Sequence, residues 1–174
     1  MRKDGAVSDA NVFGTEPDFR LPNGVSILQV AKHAGAELLG ATAYVLEAGA
    51  RWADLHVHYA NEEMIVVLEG TPTVHTLDGA HQLQSGDVVA CLRGRRGAHR
   101  LTNESEVPAR VLIVSTTNMP EIVEYPEEGE DGRVFAMTEP PYSEAPYDDS
   151  RGRLIRVFRR DQGQPIPPDS APSS

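Results

Sequence analysis

Short strand-like segments separated by turn signals run along most of the chain, and this pattern limits the possible folds more than any other feature. The segments are rich in Val, Ile, Leu and Thr, and turns containing Gly, Asp, Asn or Pro separate them at intervals of roughly 8–12 residues. The sequence LDGA at 77–80 is typical of a tight hairpin. This spacing predicts an all-β sandwich or barrel. The predicted strands cover residues 27–33, 40–48, 63–69, 73–77, 87–91, 99–103 and 109–117.

Helices have little part in this prediction. Strands and helices do not alternate along the chain, which argues against a parallel βαβ fold. The one helical candidate, KHAGAELLG at 32–40, is weakened by its glycines.

The 174 residues are expected to form one main domain with extensions at both ends. We expect an N-terminal arm over 1–20, a β-barrel over 21–120, an acidic arm with a late strand over 121–160, and a disordered tail over 161–174. The acidic arm is expected to pack on the barrel or on a partner subunit, with a lid over the site as the less favoured alternative. Open sheets leave edges that must be covered, so a homodimer is predicted.

The charge of the chain excludes some classes of partner. The formal net charge is −10, and residues 121–150 hold ten acids against one base, which we interpret as a solvated surface stretch. Such a field repels phosphate backbones, so we expect no nucleic-acid partner. The sequence has no apolar run near the ~20 residues that span a bilayer, and its first residues lack the apolar core of a signal peptide. A cytoplasmic protein with no membrane partner is predicted, and its one cysteine, Cys91, is interpreted as a small buried hydrophobe.

The segment LHVHYANEEMIVVLEG, residues 55–70, places two histidines one residue apart. Side chains two apart on a strand point to the same face, so the rings of His56 and His58 can converge on one ion. Glu63 opens the next strand after a short loop, and His99 opens a later one. Imidazole nitrogens with one carboxylate suit Zn, Fe, Mn, Ni or Cu better than Ca or Mg. The alternative is that the histidines are solvated or structural, as most strand histidines are.

The first of two longer stretches resembles a family motif. GARWADLHVHYANEEMIVVLEG, residues 49–70, is similar to the first motif of the cupin superfamily, in compact single-domain (cupin type-2-like) form. His56, His58, Glu63 and Gly70 fill the motif positions, and the leading glycine, Gly49, lies one residue further away than the usual pattern.

The second stretch, GDVVACLRGRRGAHRLTN at 86–103, resembles the second cupin motif. Leu92 stands where the family usually has proline, and two extra residues separate Gly94 from His99. These departures leave the turn before His99 less constrained than in the family. The matching positions are Gly86, Gly94, His99 and Asn103.

The resemblance covers about residues 40–117 and implies both a fold and a site. The fold is a double-stranded β-helix, a jelly-roll barrel of two antiparallel sheets. The site is one divalent transition metal (Zn, Fe, Mn or Ni) held by His56, His58, Glu63 and His99. Spacing to Gly70 selects Glu63 over its neighbour, so Glu62 is expected to face solvent or to orient a histidine.

A site of this kind allows three functions. The first is a metal-dependent enzyme acting on a small oxygen-rich molecule, of dioxygenase, decarboxylase or isomerase type. The second is a non-catalytic small-ligand binding or sensor protein. The third, a purely structural metal, is less favoured because structural sites are usually closed by four protein ligands and lack a ligand cavity. Catalytic residues beyond the metal ligands are not assigned.

Candidates for substrate contact are Tyr44, Trp52 and Arg93. For the two aromatic residues the alternative is packing in the core or rim. The arginine belongs to a basic cluster in the loop before His99, which is either an anion gate or a solvated loop paired with acids of 121–150. His75 and His81 are expected to be exposed strand residues.

Overall fold

The computed structural model describes residues 10–126, 133–137 and 155–159. The predicted tail at 161–174 and most of the acidic arm therefore lie outside the described residues. Within the described residues, the helix α1, Val30–Ala34, has five residues, and no helix is long and apolar enough to cross a membrane. The strands in chain order are β1 Phe19–Arg20, β2 Val25–Leu28, β3 Leu39–Leu46, β4 Arg51–His58, β5 Glu63–Glu69, β6 Thr73–Thr76, β7 Gly79–Gln82, β8 Val88–Cys91, β9 His99–Thr102, β10 Ala109–Thr116, β11 Glu121–Tyr125, β12 Arg133–Met137 and β13 Ile155–Arg159.

The strands form two antiparallel sheets, as the all-β prediction required. The first sheet has the order β1-β2-β3-β10-β5-β8, and the second has the order β13-β12-β11-β4-β9-β6-β7. Strands that are distant in sequence lie side by side, since β10 pairs with both β3 and β5. The double-stranded β-helix predicted from the sequence is confirmed.

The core lies between the two sheets and follows the two-residue period of a strand. In β5, Ile65 and Val67 point inward and are almost fully buried. Met64, which precedes Ile65 on the same strand, points outward and is 41% exposed. Val111 on β10 and Leu101 on β9 meet the inward side chains of β5 in the same core cluster. This alternation fixes the register of each strand, because a slip of one residue would turn every apolar side chain to solvent.

Strand β4 is buried on both faces. Leu55 and Val57 pack with Ala98 in a second, smaller apolar cluster, while His56 on the opposite face is only 8% exposed. The histidine pair is therefore carried by a strand held from both sides.

The predicted strand 27–33 is wrong beyond Leu28, because a short helix follows it. Helix α1 spans Val30–Ala34. Asp18 accepts the backbone N–H of Gln29 at 2.7 Å and contacts Nε2 of His33 at 2.9 Å, so one carboxylate ties both ends of the turn. Gly35 ends the helix in the left-handed conformation at φ 78°, which glycine adopts at little cost.

Candidate metal centre

Strand β4 carries the histidine pair after an irregular stretch. Its register against β9 shifts between Trp52 and His56, where β4 advances four residues while β9 advances two, from Leu101 to His99. Ala53 lies in this stretch with φ 55°. Beyond it, the rings of His56 and His58 lie on one face with centroids 5.0 Å apart. The two predicted ligands on β4 therefore do converge.

His99 and Glu63 reach the same place from other strands. His99 is the cross-strand partner of His56, and their ring centroids are 4.4 Å apart. Glu63 shares the inward face of β5 with Ile65, and its Oε2 lies 3.0 Å from Nε2 of His99 and 3.7 Å from Nε2 of His58. The carboxylate comes from the first sheet and the three rings from the second, so the cluster lies between the sheets.

Two of the rings have their Nδ1 atoms engaged by backbone. His56 Nδ1 donates to the carbonyl of Asp54 at 2.9 Å, and His99 Nδ1 donates to the carbonyl of Gly97 at 2.9 Å. Each bond fixes the orientation of the ring and leaves Nε2 to face the cluster.

The pKa values follow from burial and from mutual charge. Burial, then the neighbouring charges of His99 and His58, lower the pKa of His56 to about 3. Burial alone would raise the pKa of Glu63, but the hydrogen bond from His99 and the nearby imidazole charges outweigh it and lower that pKa to about 2. Burial opposes charge on His99, yet hydrogen bonds to Cys91 and Glu63 raise its pKa to about 10. With no ion bound, these pKa values leave Glu63 ionised beside a protonated His99 and a neutral His56. Binding of a metal by His99 would release the proton of that ring.

The donor set fits a divalent transition metal. His56, His58 and Glu63 can each offer one atom, all within 4.8 Å of one another. His99 is not part of this group of three, because its ring centroid lies 6.1 Å from that of His58, and it reaches the cluster through Glu63. Two atoms bonded to one zinc-like ion at about 2.0–2.2 Å in a tetrahedral arrangement lie roughly 3.5 Å apart. The separations of 3.0 Å and 3.7 Å from Glu63 to the rings of His99 and His58 are of that size. Three nitrogens and one carboxylate oxygen are ligands that Zn, Fe, Mn and Ni accept.

Strand β11 adds a carboxylate that the sequence analysis missed. Glu121 is 2% exposed, and its Oε2 lies 3.5 Å from Nδ1 of His58. Burial opposes charge on Glu121, but the nearby His58 ring and hydrogen bonds from Ala60 and Asn61 outweigh it and lower the pKa of that carboxyl. The available signal is the Ile, Val and Tyr of EIVEY at 121–125, residue types that favour strands, but the charge of the region indicates a solvated stretch instead.

Two further residues of β11 contact the surroundings of the site. The ring of Tyr125 stacks on His56 with centroids 5.9 Å apart. Glu124 accepts a hydrogen bond from Arg95 at 2.8 Å and another from the Tyr59 hydroxyl at 2.5 Å. An arginine of the loop before His99 therefore pairs with an acid of the 121–150 stretch.

The remaining sequence candidates lie apart from the cluster or at its margin. Tyr44 is 4% exposed and packs on Trp52 with ring centroids 4.4 Å apart. This contact agrees with the alternative that the two aromatic residues pack in the core or rim. Arg93 is exposed on the loop before His99. Glu62 is exposed, which agrees with the expectation that it faces solvent.

The two other strand histidines have separate surroundings. His75 contacts the Thr102 hydroxyl at 2.8 Å on β9, and its Nε2 lies 3.4 Å from Glu104. His81 is exposed on β7. Neither belongs to the cluster of potential ligands.

Comparison with known proteins relates the barrel to a family. Residues 43–115, less than half of the chain, match the family model of the cupin domain. The match includes both of the stretches whose motifs resemble that family. No curated protein matches the sequence.

Solved structures extend the likeness beyond the matched domain. A sugar phosphate isomerase from the cupin superfamily of Silicibacter pomeroyi shares 25% identity at a TM-score of 0.65, over 84% of this chain and 82% of its own. A putative sugar phosphate isomerase of Acidithiobacillus ferrooxidans has 16% identity at TM-score 0.65, over 84% and 83% of the two chains. The polyketide cyclase RemF of Streptomyces resistomycificus has 20% identity at TM-score 0.51, over 67% and 80%. The last two likenesses concern the fold alone.

Proposed function

We propose that this protein is a metal-dependent cupin enzyme acting on a small oxygen-rich molecule, and that its reaction is isomerisation of a sugar phosphate. The observation that carries the proposal is the convergence of His56, His58, Glu63 and His99 between the two sheets. The proposed cofactor is one divalent transition metal, Zn, Fe, Mn or Ni.

The four ligands would leave one or two positions of the metal open to substrate. A bound metal supplies Lewis acidity that polarises a carbonyl or hydroxyl oxygen of the substrate. The chain's own part is to hold the donors in place. The carbonyls of Asp54 and Gly97 orient two of the rings, and Tyr125 covers one face of His56.

The choice of an isomerase over a dioxygenase or decarboxylase rests on likeness along the whole chain. The sugar phosphate isomerase of Silicibacter pomeroyi is matched over 84% of this chain, far more than the cupin domain itself. A phosphorylated sugar also carries an anion, and Arg93 is exposed on the loop that leads to His99. Arg93 is the proposed contact for that anion. Tyr44 and Trp52 would then support the barrel wall beside the site.

The experiment combines metal analysis with exchange of substrate hydrogen. Purified protein is first assayed for bound metal, and aldose and ketose phosphates are then incubated with it in D₂O and followed by NMR. Isomerisation through proton transfer is expected to give both interconversion and deuterium at the carbon next to the carbonyl. His99→Ala should lower metal content by more than about tenfold, since a lost ligand costs more than a lost orienting residue.

The matched control is His81→Ala, which removes an exposed histidine outside the cluster. It should leave metal content and turnover as in the unaltered protein. Failure of the unaltered protein to bind any divalent transition metal would contradict the proposal. Oxygen uptake with a phenol or thiol would instead support the dioxygenase type. Thermal stabilisation by a ligand recovered unchanged would support the binding or sensor function.

We also propose that the protein is a cytoplasmic homodimer and that it binds neither nucleic acid nor a membrane. The outward side of the first sheet supports assembly, because Met64 and Val88 on neighbouring strands are 41% and 58% exposed. Sedimentation of the full chain measures this directly.

A further inference from the structure

The third histidine of the cluster differs from the other two in what faces its Nδ1 atom. His56 and His99 each use the backbone carbonyl two residues earlier, at Asp54 and Gly97. His58 Nδ1 is buried and makes no hydrogen bond to any of the described residues. The charged group that it faces is the carboxylate of Glu121, 3.5 Å away on β11.

The carboxylate of Glu121 is held in one orientation. Its Oε1 accepts three backbone N–H groups, from Tyr59 at 3.1 Å, Ala60 at 3.1 Å and Ile122 at 2.8 Å. Its Oε2 faces the ring of His58 and accepts from the side-chain amide of Asn61. A buried carboxylate with this many donors has no freedom to turn away from the ring.

The amide of Asn61 is itself locked. Its Nδ2 donates to the carbonyl of Asn118 at 3.0 Å, and its Oδ1 accepts the Asn118 N–H at 2.6 Å and the Thr116 hydroxyl at 2.9 Å. Reversing this amide would set its oxygen against the Asn118 carbonyl and the Glu121 carboxylate, and its NH₂ group against the Asn118 N–H. Asn61 therefore always presents an N–H to Oε2 of Glu121.

We propose that Glu121 is a positioning residue that holds His58 in the tautomer protonated on Nδ1, so that the lone pair of Nε2 faces the cluster. A carboxylate beside Nδ1 favours a proton on that nitrogen, so Nε2 keeps the lone pair that can bind a metal. The inference rests on the proposed function for its purpose, since the lone pair serves a metal. Strand β11, which lies outside the matched cupin domain at 43–115, thereby completes the site.

The substitution Glu121→Gln tests this because one amide orientation opposes fewer donors than the other. An oxygen at the Oε1 position keeps the three backbone donors satisfied and places the new NH₂ group against His58 and one N–H of Asn61, whereas the reverse orientation would set NH₂ against all three backbone N–H groups. An N–H opposite Nδ1 favours the other tautomer, with the proton on Nε2. In metal-free protein, ¹H–¹⁵N spectra of the neutral His58 ring should change from the Nδ1-protonated to the Nε2-protonated pattern.

The second measurement is the affinity for Zn²⁺ alone, by competition with a chromogenic chelator. The dissociation constant should rise about 10–100-fold in Glu121→Gln, the range found for residues that orient a metal ligand. The matched control is Glu124→Gln on the same strand. Glu124 is also a buried carboxylate, but its partners are Arg95 and Tyr59. It should leave the His58 pattern unchanged.

Three results would overturn the inference. One is a neutral His58 ring that carries its proton on Nε2 in the unaltered protein, a measurement that needs no variant to fold. Another is an identical pattern in Glu121→Gln and the unaltered protein. The third is an equal change in Glu124→Gln, which would assign the effect to docking of β11. The spectra are recorded without metal. If the protein binds no metal, the proposed function fails, but the tautomer of His58 still tests the role of Glu121.

Discussion

At the scale of single residues, the site depends on how each imidazole ring is turned. The sequence predicted which rings meet, because side chains two apart on a strand share a face and cross-strand partners are adjacent. It did not predict what turns them. The carbonyls of Asp54 and Gly97 are set by backbone conformation, and Glu121 is brought to His58 by a strand pairing across more than sixty residues of chain.

Asn103, the last position of the second motif, has a structural role. It is completely buried, and its amide nitrogen donates to the carbonyls of Leu46 at 2.8 Å and Val107 at 2.8 Å. Its Oδ1 accepts both the N–H and the hydroxyl of Ser105. One side chain thus joins the end of β3 to the loop before β10.

Asn103→Ala should lower the free energy of unfolding by about 3 kcal/mol, because each buried group left without a partner costs about 1–3 kcal/mol. Urea denaturation measures this difference. Asn11→Ala, at an exposed asparagine, is the control and should cost less than about 0.5 kcal/mol. Equal effects of the two substitutions would contradict the role given to Asn103.

At the scale of elements, the loop before His99 shows how the departures from the family motif are accommodated. The residues between Gly94 and His99 include a 3₁₀ turn, Arg95–Gly97, and the N–H of Gly94 donates to the carbonyl of His58 at 2.7 Å. A Cβ at Gly97 would overlap the backbone carbonyl of Leu92, so only glycine fits there. Motif spacing predicts that a loop is present, but close backbone approaches of this kind are tertiary and leave no local signal.

The short helix α1 supplies a pH-dependent test. Burial opposes charge on Asp18, but hydrogen bonds from Gln29 and His33 outweigh it and lower the pKa of that carboxyl below 3.8. A carboxyl whose pKa is lower in the folded state than in the unfolded state stabilises the fold at pH values above its unfolded-state pKa. This stabilisation is lost as the pH falls through the folded-state pKa. The stability difference between the unaltered protein and Asp18→Asn should therefore be largest above about pH 5 and shrink below about pH 4.

Urea titrations across this range measure that difference, which should be modest because the Asp18 side chain is 23% exposed. Glu16→Gln, at an exposed acid nearby, is the matched control. A difference between the unaltered protein and Asp18→Asn that grows toward low pH would contradict the assignment.

At the scale of the whole molecule, the cluster joins the two sheets. Glu63 belongs to the first sheet and the three histidines to the second. Strand periodicity predicted an all-β sandwich or barrel, and the resemblance to the two cupin motifs implied the double-stranded β-helix and the four candidate ligands. The fold is confirmed, and the ligand set stays a prediction. The charge of residues 121–125 indicated a solvated surface stretch. In the structure these residues form β11, which pairs with β4 and covers a sheet edge that the barrel would otherwise expose.

A metal between the sheets should stabilise the native protein by mass action. At a free concentration one hundred times its dissociation constant, Zn²⁺ should add about 2.7 kcal/mol and raise Tm by several degrees. Differential scanning calorimetry with and without the ion measures the shift. Ca²⁺, which prefers more oxygen ligands, should have little effect, and His99→Ala should abolish the response to Zn²⁺. A Tm unchanged by every transition ion would oppose a metal at this position.

The double burial of β4 has a consequence for which ions the site accepts. Leu55 and Val57 clamp the back of the strand against Ala98, the residue just before His99. The scaffold behind three of the four donors is therefore stiff, and the donors cannot spread apart to admit a larger coordination sphere without disturbing packed side chains. Discrimination among ions of similar chemistry would then arise from the fixed span of the donors, and enlarging a residue behind the strand would retune it without touching a ligand.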